Sequence, residues 1–336
     1  MGMRRITVIA ACLTVGLSAC SGGGAKPTTT TSAPTSTTAA AGPVHPLTGL
    51  PGEPANRPAL IVKIDNAPKA RPQAGLGEAD LVVEEAVEGG VTRLFTVFHS
   101  QVPGDVGPVR SARSTDIALA AQLGRPLFAY SGANSVFLQQ VRAAPLQDVG
   151  IENATGAYRR EKGRPAPYNL FSTGAALFAA ATGEVAAPPP LFEYGDLPSG
   201  ARPTEGLHLE FRGRVVTAVD WRWDAATSRW VRTQNGTAHV TAAGAQVSAP
   251  NVVVQVVAYS DTGIRDQSGE PVPEAQLNGE GRALLLRDGQ VIEGRWSREG
   301  ARTVFRTASG EPLFLTPGPT WLELAREDAN GVVQVI

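Results

Sequence analysis

The stretch Leu81-Val-Val-Glu-Glu-Ala-Val-Glu-Gly-Gly-Val-Thr-Arg-Leu-Phe-Thr-Val-Phe-His99 places two apolar runs on either side of a pair of glycines. Both runs are short and rich in β-branched and aromatic side chains, so each is predicted to form a strand. Gly89 and Gly90 supply the backbone freedom that a tight turn requires. The stretch therefore predicts a strand–turn–strand unit as the nucleus of the N-terminal half.

Outward from this unit, the pattern alternates between strand and helix. Further strands are predicted at residues 59–65 and 126–130, and helices at 114–123, 135–141 and 173–181. The first helix begins with side chains that could cap it and stops before Gly124. The capping candidates are Ser114, Thr115 and Asp116.

The C-terminal half has a different pattern, in which short alternating runs are separated by hairpin turns. Asn235-Gly236 and Asp288-Gly289 are typical of two-residue turns, and the last strand is predicted at 320–325. We therefore predict an α+β, mixed α/β N-terminal domain followed by a mainly β C-terminal domain. The predicted boundaries are a mixed α/β domain at 45–190, a linker at 191–204, a β-rich domain at 205–328 and a tail at 329–336.

Residues 1–19 have the three parts of a secretory signal: Arg4 and Arg5, an apolar run to Leu17, and small residues before Cys20. The apolar run of about a dozen residues is too short to span the ~30 Å core of a bilayer, which argues against a transmembrane anchor. Leu17-Ser-Ala-Cys20 resembles the bacterial lipobox, in which the cysteine is lipidated and becomes the new N-terminus. We expect a lipid-anchored protein of the cell membrane that faces outside the cytoplasm.

Residues 20–44 consist almost entirely of Gly, Ala, Pro, Ser and Thr, with Lys26 as the only charge. Such a segment buries too little apolar area to offset the entropy of ordering, so it is predicted to be a disordered tether. Its Thr/Ser/Pro content would also suit O-glycosylation, and the sequence leaves that alternative open. Since Cys12 lies in the signal, the mature chain would have no disulfide.

Several functional classes lack their sequence signatures. The net charge is −1 and no basic block exists, so nucleic acid is not an expected partner. No phosphate-binding loop or nucleophile elbow is found, and no metal or cofactor is predicted. The histidines show no metal-ligand spacing; they are His45, His99, His208 and His239.

Seven short blocks resemble a known family. They are Asn56–Asn66, Glu84–Arg93, Gly107–Arg113, Ala166–Asn169, Asn278–Gly281, Gly289–Trp296 and Pro317–Trp321. Together, and in this order, they resemble the YerB-like family of bacterial envelope lipoproteins, which carry a two-part domain of unknown function. The resemblance implies a location in the cell envelope and a two-part architecture, and it implies no reaction. Where the family usually has a histidine before the asparagine, this chain has Tyr168 before Asn169, so a histidine base would be missing here.

The best candidate for a ligand site is Arg110-Ser-Ala-Arg-Ser-Thr-Asp116. If this turn is helical, Arg110 and Arg113 share a face, and the N–H groups of a helix start favour an anion. Guanidinium groups bind phosphate or carboxylate through paired N–H donors, and Ser111 and Ser114 could donate as well. In the alternative interpretation the arginines pair with Glu84, Glu85 or Glu88 and only stabilise the fold.

A second candidate is acidic. In a continuous strand Glu84 and Glu88 face one way and Glu85 the other, so two carboxylates could perform acid–base work or hold a divalent cation. They could equally be ion-pair partners of Arg93 or Arg110. Other polar residues predicted to gather at this site are Lys63, Asp65, Asn66, Asp116, Tyr168 and Asn169.

The leading functional hypothesis is a non-enzymatic envelope protein that binds or scaffolds a cell-wall polymer or an envelope protein. The alternative is an enzyme of wall-polymer transfer or hydrolysis that uses Arg110, Arg113, Asp116 and the Glu84/Glu88 face, with a loose likeness to the Arg/Asp sites of envelope phosphotransferases. Five tryptophans in the β-rich half could stack on sugars, although core packing is their more ordinary role. They are Trp221, Trp223, Trp230, Trp296 and Trp321.

Overall fold

The computed structural model describes residues 42–183, 185–266 and 268–336. The predicted signal peptide, Cys20 and all but the last residues of the predicted tether lie outside the described residues. Gly42–Ile336 form one compact unit. None of the helices in the described part of the chain has the length and apolar character needed to cross a membrane.

The N-terminal half combines strands with three short helices. Its strands are β1 (Leu60–Asp65), β2 (Leu81–Ala86), β3 (Thr92–Phe98), β4 (Asp105–Val106), β5 (Leu127–Ala129), β6 (Gln147–Asp148), β7 (Tyr158–Arg160) and β8 (Leu170–Thr173). Its helices are α1 (Thr115–Ala120), α2 (Ser135–Ala143) and α3 (Gly174–Ala179). Single 3-10 turns lie at Pro68–Ala70, Leu76–Glu78, Glu88–Gly90, Ala121–Leu123 and Thr155–Ala157.

The described part of the C-terminal half contains strands and turns without helices. The strands are β9 (Arg202–Pro203), β10 (Gly206–Arg212), β11 (Val216–Asp224), β12 (Arg229–Gln234), β13 (Thr237–Ala238), β14 (Ser248–Ala249), β15 (Asn251–Val256), β16 (Tyr259–Arg265), β17 (Pro271–Ala275), β18 (Glu280–Arg287), β19 (Gln290–Glu299), β20 (Arg302–Thr307), β21 (Thr320–Ala325) and β22 (Gly331–Val335). The predicted fold class, mixed α/β followed by mainly β, is confirmed.

One large sheet runs through both halves of the chain. Within the described residues its order is β20-β19-β18-β15-β21-β2-β3-β1-β5-β6, with β9 beside β19. The predicted strand–turn–strand unit consists of β2 and β3. They form an antiparallel pair with Leu81 opposite Val97 and Ala86 opposite Thr92. Gly89 and Gly90 turn the chain between them with positive φ angles of 68° and 85°.

The two halves meet where β2 lies parallel to β21, with Leu81 opposite Thr320 and Glu84 opposite Glu323. Parallel neighbours must come from distant parts of a chain, because a tight turn cannot join them. The sheet therefore requires both halves. The predicted boundaries at 190 and 205 stay a prediction about how the chain divides.

Alternate side chains of the large sheet enter two separate cores. In β1, Leu60 and Val62 face a core shared with Trp221 and Trp230, which belong to a second sheet of order β13-β12-β11-β10-β22 with β14 beside β12. Ile61 faces the other core, shared with α1 and α2. Burial on both faces explains why the central strands read as continuous apolar runs.

The tryptophans follow the core-packing expectation. Trp221 and Trp230 are fully buried, Trp296 and Trp321 are 2% exposed, and Trp223 is half-buried. The Trp221 and Trp321 rings meet edge-on with centroids 5.3 Å apart across the two sheets. Their rings therefore hold the sheets together and do not form a sugar-binding platform.

Two predictions about local structure are wrong. The segment 329–336, predicted as a tail, contains β22, because Gly331–Val335 complete the edge of β10. The segment 191–204, predicted as a linker, packs on the body: Leu191 and Phe192 are buried in the core, and Arg202–Pro203 pair with β19.

Candidate functional site

A polar cavity of about 440 Å³ opens beside the carboxyl end of β1, and arginines dominate its lining. The loop that follows β4 supplies one wall, the start of α2 a second, and the β16–β17 hairpin a third. The lining residues are Glu88, Arg93, Arg110, Ser111, Arg113, Ser131, Gly132, Ala133, Asn134, Phe137, Ile264, Arg265, Asp266 and Val272. The cavity is therefore built from both halves of the chain.

Backbone hydrogen bonds hold the loop at 110–113 in place. The Arg110 N–H donates to the carbonyl oxygen of Lys63 at 2.7 Å, and the Ala112 N–H donates to that of Gly132 at 3.0 Å. The Ser131 N–H donates to the Arg110 carbonyl oxygen at 3.0 Å. The loop is thus fastened to β1 on one side and to the segment after β5 on the other.

This arrangement corrects the predicted local geometry of the anion site. Arg110 and Arg113 both precede α1, which starts at Thr115, so they do not share a helix face. Ser114 makes no capping hydrogen bond; instead the Asp116 carboxylate accepts the Arg113 N–H at 2.7 Å. Ser114 is buried and is not part of the cavity lining. The backbone bonds to neighbouring segments replace the helical bonds that the sequence predicts.

Glu88 pairs with two of the arginines. Its carboxylate accepts the Arg113 Nε–H at 2.5 Å and lies 3.7 Å from Arg93 Nη2. Burial alone would raise the pKa of Glu88, but the hydrogen bond from Arg113 and the charge of Arg93 lower it below its ordinary value. Glu88 is therefore an ionised partner at neutral pH and not a free acid.

Arg110 is held differently. Its Nε lies 2.8 Å from Asp65 Oδ2, and 27% of its side chain is exposed, against 10% for Arg113. Asp65 itself is fixed because its Oδ1 accepts the Ala67 N–H at 2.8 Å. Within the described structure, the two terminal nitrogens of Arg110 have no protein partner. They are unoccupied donors at the cavity.

The crowding of positive charge is visible at Arg93, which donates from Nη1 to the Ser111 carbonyl oxygen at 2.9 Å. Burial, together with the charges of Arg113 and Arg110, lowers the pKa of Arg93 to about 10 against the opposing effect of Glu88 and Asp65. A guanidinium whose charged form is disfavoured in this way gains from the arrival of an anion.

Behind the cavity lies a fully buried group of three ionisable side chains. The Lys63 ammonium contacts the Glu85 carboxylate and donates to Asp116 Oδ1 at 2.6 Å. Burial raises the pKa of Glu85 to about 7, although the charge of Lys63 opposes the shift. Lys63, Glu85 and Asp116 therefore fasten β1, β2 and α1 together and do not reach the cavity lining.

The prediction that Glu84 and Glu88 share a strand face is wrong, because β2 ends at Ala86 and the chain then turns. Glu84 points into the interior between the two sheets. Its carboxylate accepts hydrogen bonds from Arg232 at 2.6 Å, Thr92 at 2.6 Å and Asn66 at 3.0 Å. Glu84 and Asn66 belong to a buried network that is separate from the cavity.

That network continues into the second half of the chain. Arg232 also donates to Gln234 at 2.8 Å and contacts His239, whose other ring nitrogen lies 2.8 Å from Gln73 Oε1. Glu323 accepts the Trp221 indole N–H at 2.8 Å, and burial raises its pKa well above the ordinary value. The network joins the two sheets where β2 meets β21.

Tyr168 and Asn169 do not join either group. They lie just before β8, where Asn169 Oδ1 accepts a hydrogen bond from Arg160 at 2.9 Å, and neither residue lines the cavity. Among the described residues, no cluster of three or more His, Cys, Asp or Glu side chains could hold a metal ion. The predicted absence of a metal and of a cofactor stays a prediction.

Sequence reasoning missed the cavity residues from distant segments: Gly132, Asn134 and Phe137 near α2, and Arg265 in the β16–β17 hairpin. Asn134 is detectable in the sequence, because Asn is a preferred N-cap residue. In the structure its side chain accepts the Val136 N–H at 2.9 Å. The hairpin gives no comparable signal, since exposed residues alternate with partly buried ones along β16.

Two domain descriptions match this chain: the N-terminal domain of a protein of unknown function, DUF3048, over residues 47–187, and its C-terminal domain over residues 207–322. The chain belongs to this family. The match covers both halves of the large sheet and all the arginines of the cavity.

One relative is named as a putative lipoprotein. The chain is 28% identical over 291 residues to the Bacillus subtilis (strain 168) protein named "Putative lipoprotein YerB", covering 83% of this chain and 85% of that one. The crystal structure of YerB from Bacillus subtilis matches with a TM-score of 0.73 and 26% identity, covering 87% of this chain and 99% of that chain. Neither name specifies a ligand or a reaction.

The buried Glu84–Arg232 pair gives a first test. We expect Arg232→Ala to lower the free energy of unfolding by about 3–5 kcal/mol, because the substitution leaves a buried carboxylate without its partner. Arg295→Ala is the matched control: Arg295 and Glu280 form an ion pair with both side chains more than half exposed. The control should cost less than about 1 kcal/mol in a urea titration. Equal small losses would contradict the network.

The raised pKa of Glu85 predicts a pH dependence. The folded protein keeps this proton up to about pH 7, whereas an ordinary glutamate loses it near 4.5. The resulting stabilisation is complete below about pH 4.5 and is lost as the pH rises through 7. Glu85→Gln mimics the protonated form, so wild type should lose about 3 kcal/mol more than the variant across this window.

Urea unfolding at pH 4.5 to 8 measures the difference. The substitution Glu161→Gln, at a half-exposed side chain, serves as control and should follow the wild-type profile. Parallel profiles for wild type and Glu85→Gln would show that Glu85 titrates like an exposed glutamate.

Proposed function

We propose that this protein is an extracytoplasmic envelope lipoprotein that binds an anionic group in its arginine-lined cavity. The observation that carries the proposal is Arg110, which lines the cavity, forms an ion pair with Asp65 at 2.8 Å from Nε, and has no partner for its two terminal nitrogens among the described residues. A guanidinium held in this way presents two parallel N–H donors, the arrangement that matches the oxygens of a carboxylate or phosphate.

The neighbourhood of Arg110 supports an anion. Arg93 and Arg113 share the single carboxylate of Glu88, so the inner wall carries more positive than negative charge. The cavity also lies against the start of α2, where the N-cap residue Asn134 and Phe137 line it. The N–H groups and dipole at the start of this nine-residue helix favour negative charge nearby.

The same geometry favours binding over catalysis. Proton transfer would need an acid or base that reaches the ligand. Asp116 and Glu84, which the enzyme alternative requires, are fully buried and line no part of the cavity. Glu88 is committed to two arginines, and Asp266 accepts the N–H groups of Ser268 and Glu270. The described lining therefore offers hydrogen-bond donors and no free carboxylate.

The expected location indicates which anions are available as ligands. A signal peptide, a lipidated Cys20 and a tether to residue 44 would hold the body outside the membrane, and the lipoprotein name of the Bacillus relative is consistent with this address. Polymers and lipid headgroups of the envelope carry phosphate and carboxylate groups. We therefore propose a wall polymer or an anionic envelope partner as the physiological ligand.

Thermal unfolding of the purified full-length chain against dimethyl phosphate, acetate and inorganic phosphate tests the proposal. A ligand at a hundred times its dissociation constant should stabilise wild type by about 2.7 kcal/mol, which raises the unfolding midpoint. Arg110→Ala should abolish the rise, because it removes the free donors.

Arg295→Ala, which changes an arginine on the exposed surface, should leave the rise intact. An equal shift in wild type and Arg110→Ala would contradict the assignment of the site, and no shift with any of the three anions would contradict anion binding.

A further inference from the structure

The charge balance inside the cavity is uneven and can be counted. Three guanidiniums, those of Arg93, Arg110 and Arg113, meet two carboxylates, those of Glu88 and Asp65. These five groups of the inner wall leave one positive charge in excess, and the carboxylate of Asp266 at the rim offsets it over the cavity as a whole. An ion with one negative charge would neutralise the inner wall, whereas a second negative charge would face no remaining partner.

The surrounding groups do not add positive charge. At the rim, Arg265 pairs with Asp261 at 2.9 Å, and Asp266 contributes a further carboxylate. Next to the hairpin, Arg214 lies 3.3 Å from Glu270. Behind the wall, the ammonium of Lys63 is matched by Asp116 at 2.6 Å. The pKa of the remaining buried acid, Glu85, is about 7, so it adds negative charge only as the pH rises.

The hydrogen-bonding inventory points in the same direction. The acceptors of the lining are already used by protein donors: Glu88 by Arg113, and Asp266 by its own turn. The unused groups include the two terminal nitrogens of Arg110 and the hydroxyls of Ser111 and Ser131, none of which has a side-chain partner among the described residues. A ligand group that only accepts hydrogen bonds fits this wall best.

We propose that Glu88 sets the charge selectivity of the cavity, so that it prefers a singly charged oxyanion, a phosphate diester or a carboxylate, to a doubly charged phosphate monoester. This inference rests on the proposed anion binding and specifies its ligand. By taking up Arg113 Nε and lying next to Arg93, Glu88 cancels the charge that a dianion would need. It acts through the arginines and is a specificity-determining residue.

The size of the cavity suits an anion within a larger molecule. Phe137 and Val272 are buried and Ile264 is half-buried, and all three line the walls beside the arginines. These apolar surfaces would contact the carbon groups on either side of a diester or next to a carboxylate. A lone inorganic ion would leave this surface unused.

The test compares methyl phosphate with dimethyl phosphate on the full-length protein by chemical-shift titration at pH 5 and pH 8. A phosphate monoester loses its second proton near pH 6, so methyl phosphate changes from one charge to two across this range, while dimethyl phosphate keeps one. Dividing the two affinities removes the part of any protein titration, such as that of Glu85, that acts equally on both ligands. We expect the affinity for methyl phosphate, relative to dimethyl phosphate, to fall about tenfold between pH 5 and pH 8.

The variant Glu88→Gln frees the charge of one guanidinium. At pH 8 it should raise the ratio of methyl phosphate to dimethyl phosphate affinity about tenfold over wild type. Glu280→Gln, which removes a carboxylate from the exposed pair with Arg295, is the control and should leave the ratio unchanged. The wild-type comparison stands by itself if Glu88→Gln does not fold.

The outcomes are distinct. If the protein binds neither of the phosphates nor acetate, the proposed function itself is wrong. Binding of methyl phosphate at pH 8 as tightly as dimethyl phosphate overturns the selectivity and leaves anion binding standing. An unchanged ratio in a folded Glu88→Gln variant overturns the role of Glu88. Parallel titration with acetate separates the two supported ligands, because a carboxylate site binds acetate and rejects the diester.

Discussion

The site depends on the ion pairs of the buried Lys63 ammonium. A charge inside a protein is tolerated only when it is paired, and Lys63 is paired with Asp116 at 2.6 Å and with Glu85. The carbonyl oxygen of Lys63 also accepts the Arg110 N–H, and Asp116 accepts the Arg113 N–H. One residue of β1 therefore fixes both ends of the loop that presents the arginines.

The second buried network joins the two halves of this chain. Glu84 from β2 and Arg232 from β12 form a fully buried pair, and Glu84 lies opposite Glu323 in the parallel register of β2 and β21. The same junction brings the β16–β17 hairpin over the cavity, where Arg265 and Val272 complete the wall. Neither half alone would close the network or the cavity.

The central strands could be predicted because burial on both faces leaves continuous apolar runs in the sequence, as in Leu60–Asp65 and Thr92–Phe98. β22 and the β16–β17 hairpin could not. Their side chains are mostly partly exposed, and pairing with distant partners, such as β22 with β10, determines their structure.

The site was predictable in part for the same reason. Arg110, Arg113 and Glu88 could be singled out because charged residues stand out next to apolar strands, and the two interpretations, anion site and structural ion pairs, both describe part of the observed geometry. The sequence misplaces Glu84 because a strand continued beyond Ala86 would put Glu84 and Glu88 on one face, whereas β2 ends at Ala86 and a 3-10 turn begins at Glu88.

The central claim is that Arg110 offers unpaired donors to an anion inside this cavity. A crystal structure of the protein grown with dimethyl phosphate tests it most directly. The account predicts the phosphate oxygens within about 2.7–3.2 Å of the terminal nitrogens of Arg110, with Asp65 still on Nε and Glu88 still on Arg113. A structure in which those terminal nitrogens are occupied by protein carboxylates, with the phosphate bound elsewhere, would contradict it.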